Sequence, residues 1–104
     1  MKWRYILKEI EIKTGERNVE SYYRLQYEVL RRIDDGKTDE VKEYLETKIY
    51  QKDTDALTIL GLLYFYGVGL EMDKPKGKKM INEAVRKGNT AASWIIKDIY
   101  KNTN

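Results

Sequence analysis

Neither cysteine nor histidine occurs in this chain of 104 residues, and proline occurs once, at Pro75. Without cysteine there is no disulfide framework and no thiolate zinc site, although any redox compartment stays open. Without histidine the commonest general base and the commonest metal ligand are both missing, so no enzyme, metal or cofactor is expected. Long apolar runs are scarce as well. The first residues, MKWRYILKEIEIK, carry a charge at every second to fourth position, which excludes a secretory signal, and nothing elsewhere is long and apolar enough to cross a membrane. The expectation is a cytoplasmic protein with no membrane association.

What remains is a helical composition: 41% hydrophobic and 36% charged residues, with few helix breakers. The length suits one domain able to bury roughly two-thirds of its unfolded surface. Its organising stretch is Asp55 to Tyr66, DALTILGLLYFY, in which nine of twelve residues are apolar or aromatic. Wound as a helix, it leaves Asp55, Thr58 and Gly61 as the only stripe that is not. Such a helix must be covered on nearly every side, so it is the central element.

Around it the periodicity predicts further helices. Residues 2 to 13 fit a helix through Trp3, Ile6, Leu7 and Ile10, or a strand through Ile10 and Ile12, with helix preferred. A helix from about Asn18, its N-cap, carries Val19, Tyr22, Gln26, Val29, Leu30 and Ile33 on one face and stops at Gly36. Thr38 is predicted to cap a third, with Val41, Tyr44, Leu45, Lys48 and Ile49 on its stripe. Asp53 or Thr54 opens the central helix and Gly67 closes it. Pro75 sets the first turn of the next, whose stripe is Gly77, Met80, Ile81, Ala84 and Val85 and whose stop is Gly88. A last helix, Thr90 to about Lys101, buries Ala92, Ile95, Ile96 and Ile99.

An internal repeat is present: Ala56, Leu60, Gly61 and Tyr64 recur 36 residues later as Ala92, Ile96, Lys97 and Tyr100. Together with Gly67, Gly69, Asp73, Lys76, Ala84 and Gly88, these residues resemble the Sel1-like repeat, a relative of the tetratricopeptide repeat. The resemblance covers residues 53 to 92 and extends weakly upstream, where Lys52 stands at the usual Gly. It implies an all-α fold, a short right-handed α/α solenoid of antiparallel helix pairs with five or six helices. Within a single domain of residues 1–104, residues 1–37 would be an N-terminal helical extension, 38–52 a degenerate repeat helix, 53–88 the repeat and 89–104 a terminal capping helix. Gly77 stands where the family favours Ala, which is expected to cost that helix about 0.5–1 kcal/mol. The resemblance also implies a role in binding other proteins.

The candidate contact residues follow from the helix faces. Leu62, Phe65 and Tyr66 lie on the flank of the central helix that its repeat partners leave over, and either the N-terminal segment covers them or they line a binding groove. Trp94 stands among Lys97, Asp98 and Lys101, as an exposed hot spot or as packing. Tyr27 and Tyr50 sit at or beyond the edges of their stripes, whereas Tyr22, Tyr44, Tyr64 and Tyr100 read as core. Residues 74 to 104 carry eight Lys/Arg against Glu83 and Asp98, a net +6, while residues 1 to 73 carry a net −3. Lys74, Lys76, Lys78, Lys79, Arg86 and Lys87 make a basic end, either a solvated face or a nucleic-acid surface. The carboxylate pairs Asp34/Asp35, Asp53/Asp55 and Glu71/Asp73 fall at helix boundaries, where capping explains them. The sequence thus points to one protein partner held in a groove between inner helices, with nucleic acid as the alternative and stacking into a homo-oligomer through open solenoid ends as a further option.

Overall fold

The computed structural model describes residues 19–102. Five helices make up this part of the chain: α1 (Glu20–Asp34), α2 (Thr38–Tyr50), α3 (Thr54–Tyr66), α4 (Lys74–Arg86) and α5 (Thr90–Asn102). The fold is all-α, with no strand among the described residues. It is a short α/α solenoid of packed helix pairs. The expected element at residues 2–13 and the Asn18 cap lie outside the described residues.

The central helix takes the place its composition demands. All ten residues from Ala56 to Phe65 are buried, the Thr58 and Gly61 stripe included. Thr58 can be buried because its hydroxyl donates to the Thr54 carbonyl at 2.8 Å, so no polar group is left unpaired. Helices α1, α2, α4 and α5 all pack on α3, and α1 also packs on α2 and α4 on α5.

The α3–α4 contact is the closest, and two glycines make it so. A Cβ on Gly61 would stand 2.8 Å from Ile81 Cγ1 and 2.9 Å from the Gly77 carbonyl. One on Gly77 would collide with the Gly61 carbonyl and come within 2.6 Å of the Phe65 nitrogen and 2.9 Å of its Cα. Gly77 therefore serves a backbone-to-backbone approach, and the helix propensity it sacrifices is offset by packing that alanine would prevent.

Local signals set most helix ends. Asp53 Oδ1 accepts from the Asp55 and Ala56 amides at 2.9 and 3.1 Å, and Asp73 Oδ1 from the Lys76 amide at 3.1 Å, just ahead of Pro75. Gly36 and Gly88 adopt positive φ after α1 and α4, and Lys52 does so after α2 with φ 67°. At all three the next amide reaches back to the carbonyl three residues inside the helix end: Lys37 to Arg32, Asp53 to Lys48, Asn89 to Ala84. Thr38 is not the cap expected of it: Lys37 takes that position without a side-chain bond, and Thr38 is the first helical residue. The threonine is instead close beneath the next connection, where a Cβ on Gly69 would overlap its methyl group.

Two expectations about the core are corrected. Leu25 is buried together with Tyr22 and Val29, so the inner face of α1 runs through residues 22, 25 and 29. Tyr100, expected as core, is 44% exposed. Its counterpart Tyr64 is buried because α4 follows α3, whereas α5 is the last described helix and gains no such neighbour.

Candidate functional site

Between α1 and α3 lies a cleft lined by Tyr22, Gln26 and Leu30 of α1, Ile59, Leu62 and Leu63 of α3, and Val68 of the following loop. The walls are almost wholly apolar. The enclosed part measures about 20 Å³, no more than a single water requires. Two polar atoms reach this apolar interior: the Tyr22 hydroxyl and Gln26 Oε1 are both buried and make no hydrogen bond among the described residues. Burial pushes the Tyr22 phenol well above its ordinary pKa, and the nearby Tyr23 and Asp55 add to the shift, so it stays neutral.

Leu30 joins this cleft to a larger surface hollow. The hollow measures about 300 Å³ and is bounded by Tyr27, Leu30, Arg31, Asp34 and Asp35. Tyr27 stands at its edge, 69% exposed. An aromatic rim, an apolar floor and flanking charges of both signs make the outline of a protein-contact surface.

The sequence-derived candidates are not gathered on one surface. Leu62 is in the cleft wall and Tyr27 at the adjoining hollow, so the fold brings these two close. Phe65 does not line the cleft: its backbone lies against Gly77 of α4 and Lys74 Nζ is 5.7 Å from the centre of its ring. Leu62 and Phe65 are 6% and 4% exposed, so neither is an open anchor. Tyr66 is half-buried, edge to face with Phe65 at 4.9 Å, and its phenol pKa is raised by burial first and by Asp98 second. Trp94 is half-buried with Lys97 Nζ 5.1 Å over its ring, while Asp98, read as one of its charged surface neighbours, is itself buried. Tyr50 ends α2 at 89% exposure and borders no part of the cleft.

The basic end is built differently from a free lysine face. Lys76 Nζ lies 4.4 Å from the centre of the Tyr64 ring and Lys78 Nζ 4.3 Å from that of Tyr100, whose hydroxyl meets Asn82 Nδ2 at 3.5 Å. Lys87 pairs with Glu83 at 3.8 Å, and Lys79 and Arg86 are exposed. Four aromatic faces are thus already occupied by lysines. At the opposite flank Tyr44 carries Arg32 at 4.3 Å and Lys48 at 5.2 Å, while Glu28 accepts from Arg32 at 3.0 Å and from the Tyr44 hydroxyl at 3.4 Å.

The carboxylates have structural duties. Asp53 and Asp73 cap helices, and Asp55 accepts from Ser21 Oγ at 2.6 Å and Asn89 Nδ2 at 2.8 Å, tying α1 and the α5 entry to α3. Among the described residues no group of three or more acidic side chains is placed to hold a metal ion, and no helix is long and apolar enough to cross a membrane. Sequence reading put Gln26 on a buried stripe without finding its role; the signal is an amide on an otherwise apolar face. Compared with known proteins, the chain matches no family model, no curated protein and no solved structure.

Proposed function

We propose that the chain is a cytoplasmic protein-binding module of the Sel1-like, tetratricopeptide-related kind, taking one protein partner on the α1–α3 side and acting as an inhibitor, immunity protein or adaptor. The observation that carries this reading is Tyr27, a largely exposed aromatic at the edge of a hollow that leads over Leu30 into an apolar cleft. Tyrosine presents a rigid apolar ring with a polar tip at low entropic cost, and such residues dominate binding energy. Leu62 acts as the cleft floor in this reading, whereas Phe65, Tyr66 and Trp94 support it from inside.

Nucleic-acid binding by the basic end is the weaker reading. Single-stranded nucleic acid binds on open aromatic platforms, yet the Phe65, Tyr64, Tyr100 and Trp94 rings are covered by lysines.

The test is affinity capture with the tagged chain from nuclease-treated extract of its own source, read by mass spectrometry beside a Tyr27→Ala variant. One partner recovered near one-to-one, with affinity falling at least about tenfold in the variant while helicity is unchanged, is the expected result. Equal capture by Tyr27→Ala removes the α1–α3 surface from the binding site. Recovery of nothing but nucleic acid, and only from untreated extract, moves the function to α4 and α5.

A further inference from the structure

Two helices carry charge mainly of one sign on their exposed faces. On α2, which buries Val41 and Leu45, the exposed residues include Asp39, Glu43, Glu46 and Tyr50, spaced i, i+4, i+7, i+11 along one side, with Glu40 and the half-buried Lys42 beside them. On α4, which buries Gly77, Ile81 and Ala84, the exposed residues include Lys76, Lys79, Arg86 and Lys87. The only carboxylate on α4, Glu83, is matched by Lys87. No ion pair within the described residues reaches Glu43, Glu46, Lys79 or Arg86.

Asp39 and Glu40 sit in the first turn of α2, where the dipole favours acids, but Glu43 and Glu46 lie beyond its reach. Asp39 and Glu43, four residues apart, and Glu43 and Glu46, three apart, repel, and four acids on this side stand against the single Lys42. The asymmetry extends to whole segments: residues 19–73 carry seven Lys/Arg against twelve Asp/Glu, a net −5, and residues 74–102 carry eight against two, a net +6. The two faces are complementary in sign. A two-fold axis that sets each face on its complement in a second copy closes a pair with both contacts made twice.

We propose that two copies of this chain associate about a two-fold axis, the acidic face of each α2 lying on the basic face of the other's α4. Tyr50, 89% exposed at the end of the acidic stripe, supplies the apolar contact. The pair is held chiefly by exposed charges, so it is weak and salt dissolves it. It leaves the α1–α3 hollow free, which makes it independent of the function proposed above.

Sedimentation equilibrium of the full chain at roughly 20 mM and roughly 500 mM salt reads the proposal. The wild type is expected to approach twice the monomer mass at low salt and to return to monomer at high salt. Glu43→Lys with Glu46→Lys, and separately Lys79→Glu with Arg86→Glu, should each raise the dissociation constant at least about tenfold, because like charges then face one another. All four substitutions together restore complementarity and the low-salt dimer. A wild type monomeric at low salt, a dimer equally stable at high salt, or a fourfold variant that stays monomeric would each overturn the proposal. All four side chains are largely solvent-facing, and circular dichroism checks that each variant keeps its helices.

Discussion

Single residues hold much of this fold's specificity, and two break a local rule. Lys52 takes φ 67° in a helix-ending turn of the type that Gly36 and Gly88 complete elsewhere. An L side chain there costs about 1 kcal/mol, so Lys52→Gly is expected to raise stability by about 0.5–1 kcal/mol in urea unfolding; unchanged stability would mean that the turn relaxes. Gly77 gives the opposite outcome. Helix propensity alone predicts a gain of about 1 kcal/mol from Gly77→Ala, but the added methyl meets the backbone of Gly61 and Phe65, which cannot rotate away. Overpacking of this kind costs about 1–3 kcal/mol, enough to lower the melting temperature by several degrees. The sequence marked Gly77 as out of place, and its reason was illegible because a close approach involves a second helix that periodicity does not see. Tyr22 is a third case. Its phenol pKa is raised in the fold, so the neutral form is the one the fold favours; the stability tied to it is complete below about pH 10 and is lost as pH rises above that value. Tyr22→Phe removes a buried hydroxyl that has no partner among the described residues. It should leave neutral-pH stability equal or up to about 1 kcal/mol higher, with a smaller fall above pH 10 than the wild type. A loss beyond 1 kcal/mol would show that the hydroxyl is bonded in solution.

Among the elements, those with strong end signals were read closely and those without were not. Asp53, Gly67, Asp73 with Pro75, and Gly88 bound α3 and α4 as expected, because each acts on backbone groups within a few residues of itself. Thr38 is the first residue of α2 and not its cap, and its methyl lies against Gly69 of the α3–α4 connection, a tertiary contact absent from the local sequence. The candidate site was legible only in part for a similar reason. Tyr27 lay off its stripe and Leu62 on one, but that Leu30 joins them depends on how α1 crosses α3. Helix α5 shows how one end residue can secure an element. Asn89 Oδ1 accepts from the Ala92 amide at 2.9 Å, while its Nδ2 donates to Asp55 Oδ1 at 2.8 Å and Thr54 Oγ1 at 2.9 Å. One side chain thus starts α5 and fastens it to the start of α3. Asn89→Ala should cost about 1–3 kcal/mol, the sum of a lost cap and an Asp55 acceptor left short. Native-state hydrogen exchange is expected to quicken in α5 before the other helices; uniform quickening would show that α5 does not open separately.

At the scale of the molecule, the burial of α3 decides how the fold responds to damage. A repeat array in which each unit touches only its neighbours tolerates local loss, and its cooperativity weakens with length. Here one helix touches the other four, so every described helix loses core contacts once α3 is disturbed. Leu60, 2% exposed in the middle of that helix, is the position at which this is tested. Leu60→Ala removes transfer energy and leaves a cavity, together about 2–5 kcal/mol. A domain of this size has only about 5–15 kcal/mol to lose. The expected signature is a lower urea midpoint with an unchanged slope and a transition that stays two-state, with exchange protection falling by the same amount in all five helices. That pattern is the reverse of the one expected for Asn89→Ala, and the contrast separates the two scales. Should Leu60→Ala instead weaken α3 and α4 while α1 and α2 keep their protection, the chain would behave as two stacked units, and the solenoid's modular character would outweigh its shared central helix.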